Sequence, residues 1–578
     1  MTAVNDSEMD INRSQSFIST SDVLSRKSEL KDEESCNSPE DALEKAVLQL
    51  GPFGIYQRYV LFLLFIPNML SAMYSLNYVF VADQVAFRCL VKECEGQGGY
   101  FANKTIQDLL PTPNETCHRY QAVQADQISC DIKDYYLNKT KKCNDFVYET
   151  MNTIYAEFSM ACKEWQRTLV GTIRNSALPL ALVLTGYISD RYGRRTAFCI
   201  FAACAGVLGI IKSFMPNYSA YLTMEFLEAA LGYGFNSAVY VMIVELARPS
   251  LRVAFACVTG IGYGLGGMLF ALIASQVPYW RNLLRAIHTP ALFLPLYWFL
   301  LDESARWLHA TNKKHESIRV IKKAARWNKV VVDEDLINSI KGETGADEVK
   351  NKNNPWLNLL KSKILMLRFC ICCWCWISVT FVYYGLTINS VSMSGDKYVN
   401  FALSMFMEIV ASLLIMMALE RFGRKQSIFV AFLVCGITCV TPFFISHSNT
   451  KTALFFVGKL SITFAFNSLY VFTAELFPTE VRSSAMAAVS LIGRVGSLVA
   501  PQTPLLSEFI QALLYGISSI SAALLVLLAP ETRRAALPQH VQHAEQMHAL
   551  AHPPNRSFGI RGSFNDPSRY SLPTTSQL

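Results

Sequence analysis

Three charged residues stand where hydropathy disfavours them. Glu408, Lys459 and Arg494 each fall inside an apolar run of the C-terminal half. A charge at the centre of a bilayer costs about 2.5–3.5 kcal/mol on insertion scales, so each needs a partner or a wet cavity. At ~1.5 Å per residue, all three lie roughly 10–15 Å from the nearer end of their runs. Each also heads a polar stripe at helical spacing. Ser404 and Ser412 flank Glu408; Lys459 continues through Thr463, Asn467 and Tyr470; Arg494 shares a face with Ser490 and Ser497. Three such stripes fit one water-filled cavity for a charged organic molecule, with Tyr383, Tyr384, Phe466 and Tyr470 supplying stacking or cation–π contacts. The competing reading is an ion pair, such as Glu408 with Lys459, that only locks helices together.

The elements that must position these residues are membrane helices. The chain has 578 residues, 52% hydrophobic and only 17% charged, whereas soluble proteins carry about a quarter charged residues. Twelve apolar runs are long enough to span a bilayer, near 59–80, 168–189, 196–215, 220–245, 253–275, 283–301, 367–390, 398–419, 427–446, 452–474, 484–506 and 509–529. Residues 1–54 and 531–578 have the composition of disordered tails, apart from a short amphipathic helix within DALEKAVLQLGPFGIYQRY. No cleavable signal peptide is apparent at the N-terminus. The net charge of +7 sits in loops and tails, and it reads as a topology signal, not a nucleic-acid surface.

Basic loops SDRYGRR, ARPSLR and ERFGRK and the Lys-rich segment 302–366 alternate with cation-poor loops. The positive-inside rule then makes both tails and the central loop cytoplasmic. Residues 82–166 become extracellular. They hold six of sixteen cysteines, Cys89, Cys94, Cys117, Cys130, Cys143 and Cys162, and the glycosylation sequons of Asn103, Asn114 and Asn138. An even cysteine set beside sequons suits an oxidising compartment, with the pairing left open.

An internal repeat halves the chain. GYISDRYGRR (186–195) matches MALERFGRKQ (417–426) when Asp190 is set on Glu420, an offset of 230 that also sets Arg191, Gly193 and Arg194 against Arg421, Gly423 and Arg424. VELARPSLR (244–252) matches AELFPTEVR (474–482) at the same offset, with Glu245 on Glu475 and Arg252 on Arg482; LDES (301–304) echoes APET (529–532) at an offset of 228. Six-span halves at 55–301 and 367–530, joined by 302–366, follow the plan of a transporter class with parallel repeats about the membrane normal. The repeated acid–arginine loops would latch the cytoplasmic face in one state.

GYISDRYGRR also fits the major facilitator superfamily signature G-x-x-x-D-R-x-G-R-R/K, in which Gly186 permits close helix contact; the second copy has Met416 at that place. Within that superfamily the chain resembles the organic cation, organic anion and carnitine transporter family from Leu43 to about His540. The resemblance rests on the cysteine-rich loop, GPFGIYQ (51–57), Trp280-Arg281, ESARWL (303–308, with Ala305 where the family usually has proline), YYGL (383–386), YVFTAELFPT (470–479) and RVGS (494–497). One departure is Glu225 in the fourth span, where the family commonly has arginine, with Arg174 in the second span as its prospective partner. The resemblance implies an all-α membrane protein of twelve transmembrane helices in two pseudo-symmetric six-helix halves (the major facilitator fold), transporting by alternating access at the plasma membrane.

Cation-transporting members carry an acid at the place of Arg494, and anion-transporting members carry a lysine at the place of Ser412. Arginine kept and lysine absent resembles the carnitine-type pattern, in which a zwitterion meets Glu408 at one end and Arg494 at the other. An organic anion is the next reading, then a simple cation; a non-transporting receptor or scaffold on the same fold is the rival from another class. No nucleotide-binding loop, enzyme site, cofactor or metal is expected, and coupling to sodium or protons is left open. Cys370, Cys372, Cys373 and Cys375 suit packing or palmitoylation better than zinc, and His540, His543, His548 and His552 suit a solvated tail. Beyond the lipid bilayer and an organic ion, Ser576-Gln577-Leu578 offers a PDZ-type C-terminus as a partner motif.

Overall fold

The structure, a computed structural model, describes residues 40–342, 361–533 and 544–545, apart from 52, 96–98, 103–105, 107–109, 112–115, 123–134, 249–250 and 479–480. In hydrocarbon every backbone N–H and C=O must bond within its own segment, so long apolar runs become helices. Twelve helices among the described residues meet that requirement by length and composition: α1 Ile55–Val81, α2 Glu164–Tyr192, α3 Arg194–Lys212, α4 Tyr218–Leu246, α5 Ala254–Gln276, α6 Trp280–Leu300, α7 Lys363–Ser392, α8 Lys397–Leu419, α9 Arg424–Phe444, α10 Ser448–Leu476, α11 Ser484–Leu505 and α12 Glu508–Val526. They coincide with the twelve expected runs.

The segment between α1 and α2 defines one face, here the loop face. Antiparallel pairs join β1 Phe87–Cys89 to β4 Phe146–Tyr148, and β2 His118–Ala122 to β3 Tyr135–Lys142. Disulfides Cys89–Cys143 and Cys117–Cys162 staple them, and Cys94 is disulfide-bonded too. Cys130, Asn103 and Asn114 lie outside the described residues, while Asn138 is exposed on β3. Trp280-Arg281 ties this domain to the bundle. Trp280 Nε1 donates to Glu157 Oε2 at 2.6 Å, and Arg281 donates to Glu157 Oε1 and to the carbonyls of Ser213 and Met215. Burial raises the Glu157 carboxyl, and the bonds from Arg281 and Trp280 outweigh it, holding it below the usual carboxylate range.

The opposite face, which carries the helix Glu40–Gln49, shows why the sequence repeats. Gly193 and Gly423 take left-handed φ of 104° and 94° between helices α2/α3 and α8/α9, a conformation glycine adopts freely. The N-terminus of α3 is capped by Glu303, whose Oε1 accepts from Arg194 N at 2.8 Å; Glu531 Oε1 accepts from Arg424 N at 2.9 Å at the start of α9. These are the acids of LDES and APET, placed against the positive end of a helix dipole. A Cβ on Gly193 would stand 2.3 Å from Glu303 Oε2, which accounts for glycine there. Arg194 bonds Asp190 and Glu245, and Arg424 bonds Glu475.

Two expectations for this face need correction. Nothing lies within 4 Å of where a Gly186 Cβ would stand, so Gly186 makes no close helix contact here; α2 borders open space at that level. The segment 302–366 is also more than a linker, since helices Ala305–Ala310, Lys314–Asn328 and Glu334–Gly342 pack with Glu40–Gln49 under the N-terminal half. Its lysines masked that apolar stripe in the composition. Among these residues Arg306 pairs with Glu44, and Asn328 accepts from Tyr56 N at 2.9 Å.

Within the N-terminal half, α2, α3 and α4 bury four charges together. Arg174 Nη1 lies 2.7 Å from Glu225 Oε1 and 2.5 Å from Glu228 Oε2, and Lys212 Nζ lies 2.9 Å from Glu225 and 3.0 Å from Glu228. Arg174 and Glu225 meet as their departure from the family pattern suggested. Glu228 and Lys212, unforeseen, bring the cluster to neutrality, the condition for burying ions in lipid.

Candidate functional site

The halves meet around a cavity of about 350 Å³. Tyr383 and Tyr384 of α7, Glu408 of α8, Phe466, Asn467 and Tyr470 of α10 and Arg494 of α11 all line it, seven of the eight residues named from the sequence. Lys459 does not. It lies wholly buried behind Glu408, with Nζ 3.0 Å from Glu408 Oε1, 2.8 Å from Thr387 Oγ1 and 3.5 Å from the Tyr383 ring centre. Thr463 also donates to Glu408 Oε1, at 3.3 Å. The ion pair weighed as the competing reading therefore exists, and Glu408 is not a free negative pole.

Arg494 is placed differently. Its guanidinium faces the hydroxyls of Tyr233, Tyr384 and Tyr470, and among the described residues no carboxylate pairs with it. Of the expected stripe, Ser490 and Arg494 line the cavity while Ser497 is buried against the helix, its hydroxyl donating to the Arg494 carbonyl; Ile492, Val495 and Val499 are exposed on the outer surface. Gly493 and Gly496 set α11 against α7, since a Cβ on Gly496 would stand 2.2 Å from the Ile377 carbonyl oxygen.

The N-terminal wall went unnamed in the sequence. Tyr233, Asn236, Ser237 and Tyr240 of α4 and Thr259, Gly260 and Tyr263 of α5 line it. These helices carry no charge at this level to draw attention. Their signal was the recurrence of polar and tyrosine positions at 233, 237, 240 and at 259, 263, each set on one helical face. Gly260 and Gly264 let α5 approach α8: a Cβ would stand 2.3 Å from Ser412 Oγ in one case and 2.9 Å from the Met405 carbonyl in the other.

The cavity opens on one side only. Ala256, Ile415, Val471 and Ser490 lie within a turn or two of their helix ends on the Glu40–Gln49 face. Toward the loop face the halves are sealed. Lys397 of α8 pairs with Asp83 beyond α1 at 2.6 Å; Gln502 of α11 bonds Thr168 and Thr172 of α2 at 3.0 and 2.7 Å; Phe80 packs on Tyr398 and Phe401. In keeping with the open side, the contacts of Arg194, Glu245, Arg424 and Glu475 lie within their own halves. Arg191 and Arg421 lie over the rings of the adjacent Tyr192 and Phe422, and Arg482 Nε bonds the Phe477 carbonyl. The Glu420 side chain, and Ser576, Gln577 and Leu578, lie outside the described residues.

Twelve helices in two repeated halves around a one-sided cavity define a major facilitator transporter. The chain belongs to the sugar (and other) transporter family, whose model matches residues 133–533, and curated relatives named organic cation transporter and organic cation/carnitine transporter align along most of its length. It is similar to an organic cation transporter protein of Drosophila melanogaster, 29% identical over 520 residues, covering 87% of this chain and 94% of that one. Organic cation/carnitine transporter 2 of Rattus norvegicus is 27% identical over 517 residues (85% and 92% covered), and a beta-alanine transporter of D. melanogaster is 27% identical over 550 residues (87% and 89%). The xylose transporter XylE of E. coli, in a partially occluded inward-open conformation, shares the fold with a TM-score of 0.55 at 16% identity, covering 83% of this chain and all of that one. The chain is a multi-pass membrane transporter and not an enzyme.

Proposed function

We propose that the protein carries a small organic zwitterion, a carboxylate joined to a quaternary or protonated amine as in carnitine. The observation that carries this reading is Arg494, a guanidinium lining the cavity with tyrosine hydroxyls around it and, among the described residues, no carboxylate paired with it. Its planar fork suits a bidentate carboxylate. The amine end rests against the rings of Phe466, Tyr470 and Tyr240, at the edge of the Glu408–Lys459 pair. Relatives named for carnitine and for beta-alanine, both amine-bearing carboxylic acids, support the assignment. An organic anion is the second reading, favoured by the pairing of Glu408, which leaves Arg494 as the unmatched charge among the three.

The test is uptake by proteoliposomes containing the purified chain. Unlabelled carnitine-like zwitterions and monocarboxylates should compete for uptake, and tetraethylammonium should not. Competition by tetraethylammonium alone would refute the role given to Arg494.

The halves rock about this site. The loop face is the outer side, carrying the glycosylated domain, and both tails are cytoplasmic, so the cavity faces inward and the Asp83–Lys397 and Thr168–Gln502–Thr172 contacts form the closed outer gate. The repeated Asp190/Arg191 and Glu420/Arg421 loops, with Glu245 and Glu475, latch the inner face in the opposite state. A reversible thiol cross-link between cysteines at positions 168 and 502 should stop transport, with activity returning on cleavage. Full activity in fully cross-linked protein would rule out rocking about these contacts.

A further inference from the structure

We propose that the space behind Glu408 is an ammonium-binding subsite occupied by the protein's own Lys459, and that this lysine sets the charge class of the substrate. The inference deepens the reading of Arg494 as the carboxylate anchor and rests on it.

The Lys459 ammonium has the three contacts that recognise an alkylammonium: a carboxylate at 3.0 Å, a hydroxyl at 2.8 Å and an aromatic face at 3.5 Å. Two of the three groups, Glu408 and Tyr383, also line the cavity, while Thr387 and Lys459 do not. The subsite thus opens toward the substrate, and its occupant is tethered from the far side by α10. A helix lock could form anywhere along α8 and α10. This pair sits where the cavity is and shares its walls.

The consequence follows from counting charge. Glu408 contributes −1, and Lys459 and Arg494 contribute +1 each, so the site carries a net +1. In a medium of low dielectric each charge left without an opposite partner is costly, and the bound molecule supplies that partner pole by pole. With Lys459 in place the deficit is one anionic group, and a cationic group meets only a neutral pair and aromatic faces. Without Lys459, Glu408 faces the cavity unmatched and binds a cation. Without Glu408, Lys459 and Arg494 together present two positive charges, the pattern for a dicarboxylate. Ser412, one turn beyond Glu408, bonds the Glu408 carbonyl at 2.9 Å and adds no charge to the count.

The experiment measures displacement of a labelled zwitterion from the reconstituted full chain by tetraethylammonium and by glutarate. Lys459→Met should tighten tetraethylammonium by about tenfold or more, the scale of one charge-assisted contact. Glu408→Gln should tighten glutarate by a similar factor and leave tetraethylammonium weak. The double variant Glu408→Gln/Lys459→Met carries the wild-type net charge and should return to the wild-type order of the two probes. A lock predicts instead that both single variants weaken all probes together, and an unchanged ratio of tetraethylammonium to glutarate across the series overturns the proposal. If Lys459→Met does not fold, the double variant against Glu408→Gln still reads the charge rule, through loss of the glutarate gain. Wild-type protein that ignores carboxylates would overturn the Arg494 assignment, while the ratio across variants separately reports on Lys459.

Discussion

Arg494→Asp is expected to lower uptake of carboxylate-bearing substrates by about two to three orders of magnitude in kcat/KM, the loss of a bidentate charge pair plus the repulsion that replaces it. The size of the effect follows from the surroundings. The guanidinium lies among Tyr233, Tyr384 and Tyr470, and no other lysine or arginine lines the cavity to take over its role, Lys459 being buried behind Glu408. Arg494→Lys keeps the charge on a shorter, single-pronged head, and a smaller loss, about tenfold, is expected. Tyrosine contacts alone would leave both variants within a few-fold of wild type, an outcome that removes Arg494 from the site. The measurement is initial uptake into proteoliposomes, normalised to folded protein by size-exclusion profile.

The second large effect lies far from the cavity. Arg174→Met should destabilise the protein by about 3–5 kcal/mol, because it leaves Glu225 and Glu228 buried with only Lys212 between them. Arg174 is 3% exposed and Glu225 is fully buried, so water offers no relief. The double variant Arg174→Met/Glu228→Gln restores neutrality and should recover most of the loss. Thermal unfolding in detergent reads both. A single variant as stable as wild type would mean the cluster is hydrated and not held by its internal pairing.

Both predictions concern charges in apolar helices, and these were the features most legible in the sequence. Arg494, Glu408 and Lys459 were visible as violations of hydropathy, and the Gly193/Gly423 and Glu303/Glu531 correspondences as a repeat. Each repeat pair proved to be one local device, a left-handed glycine at a helix junction and an acid on the next helix N-terminus. Tyr233, Ser237, Tyr240 and Tyr263 were less legible. A tyrosine in a membrane helix is compatible with lipid, with packing and with a cavity, and nothing in its own segment chooses between them.

What the sequence by itself determined is therefore the number of helices, the twofold repeat, the disulfide-bearing domain and the presence of three charges at one depth. These depend on local physics: backbone satisfaction in hydrocarbon, helix capping, and the cost of a charge in lipid. Only the tertiary structure decided how those charges pair. Lys459 turns to Glu408 and leaves Arg494 to the cavity because α8 and α10 bring the first two within 3.0 Å, a contact between helices that no pattern within either one contains. Electrostatic partners are chosen by distances across the fold, and a list of charges along the chain does not include them.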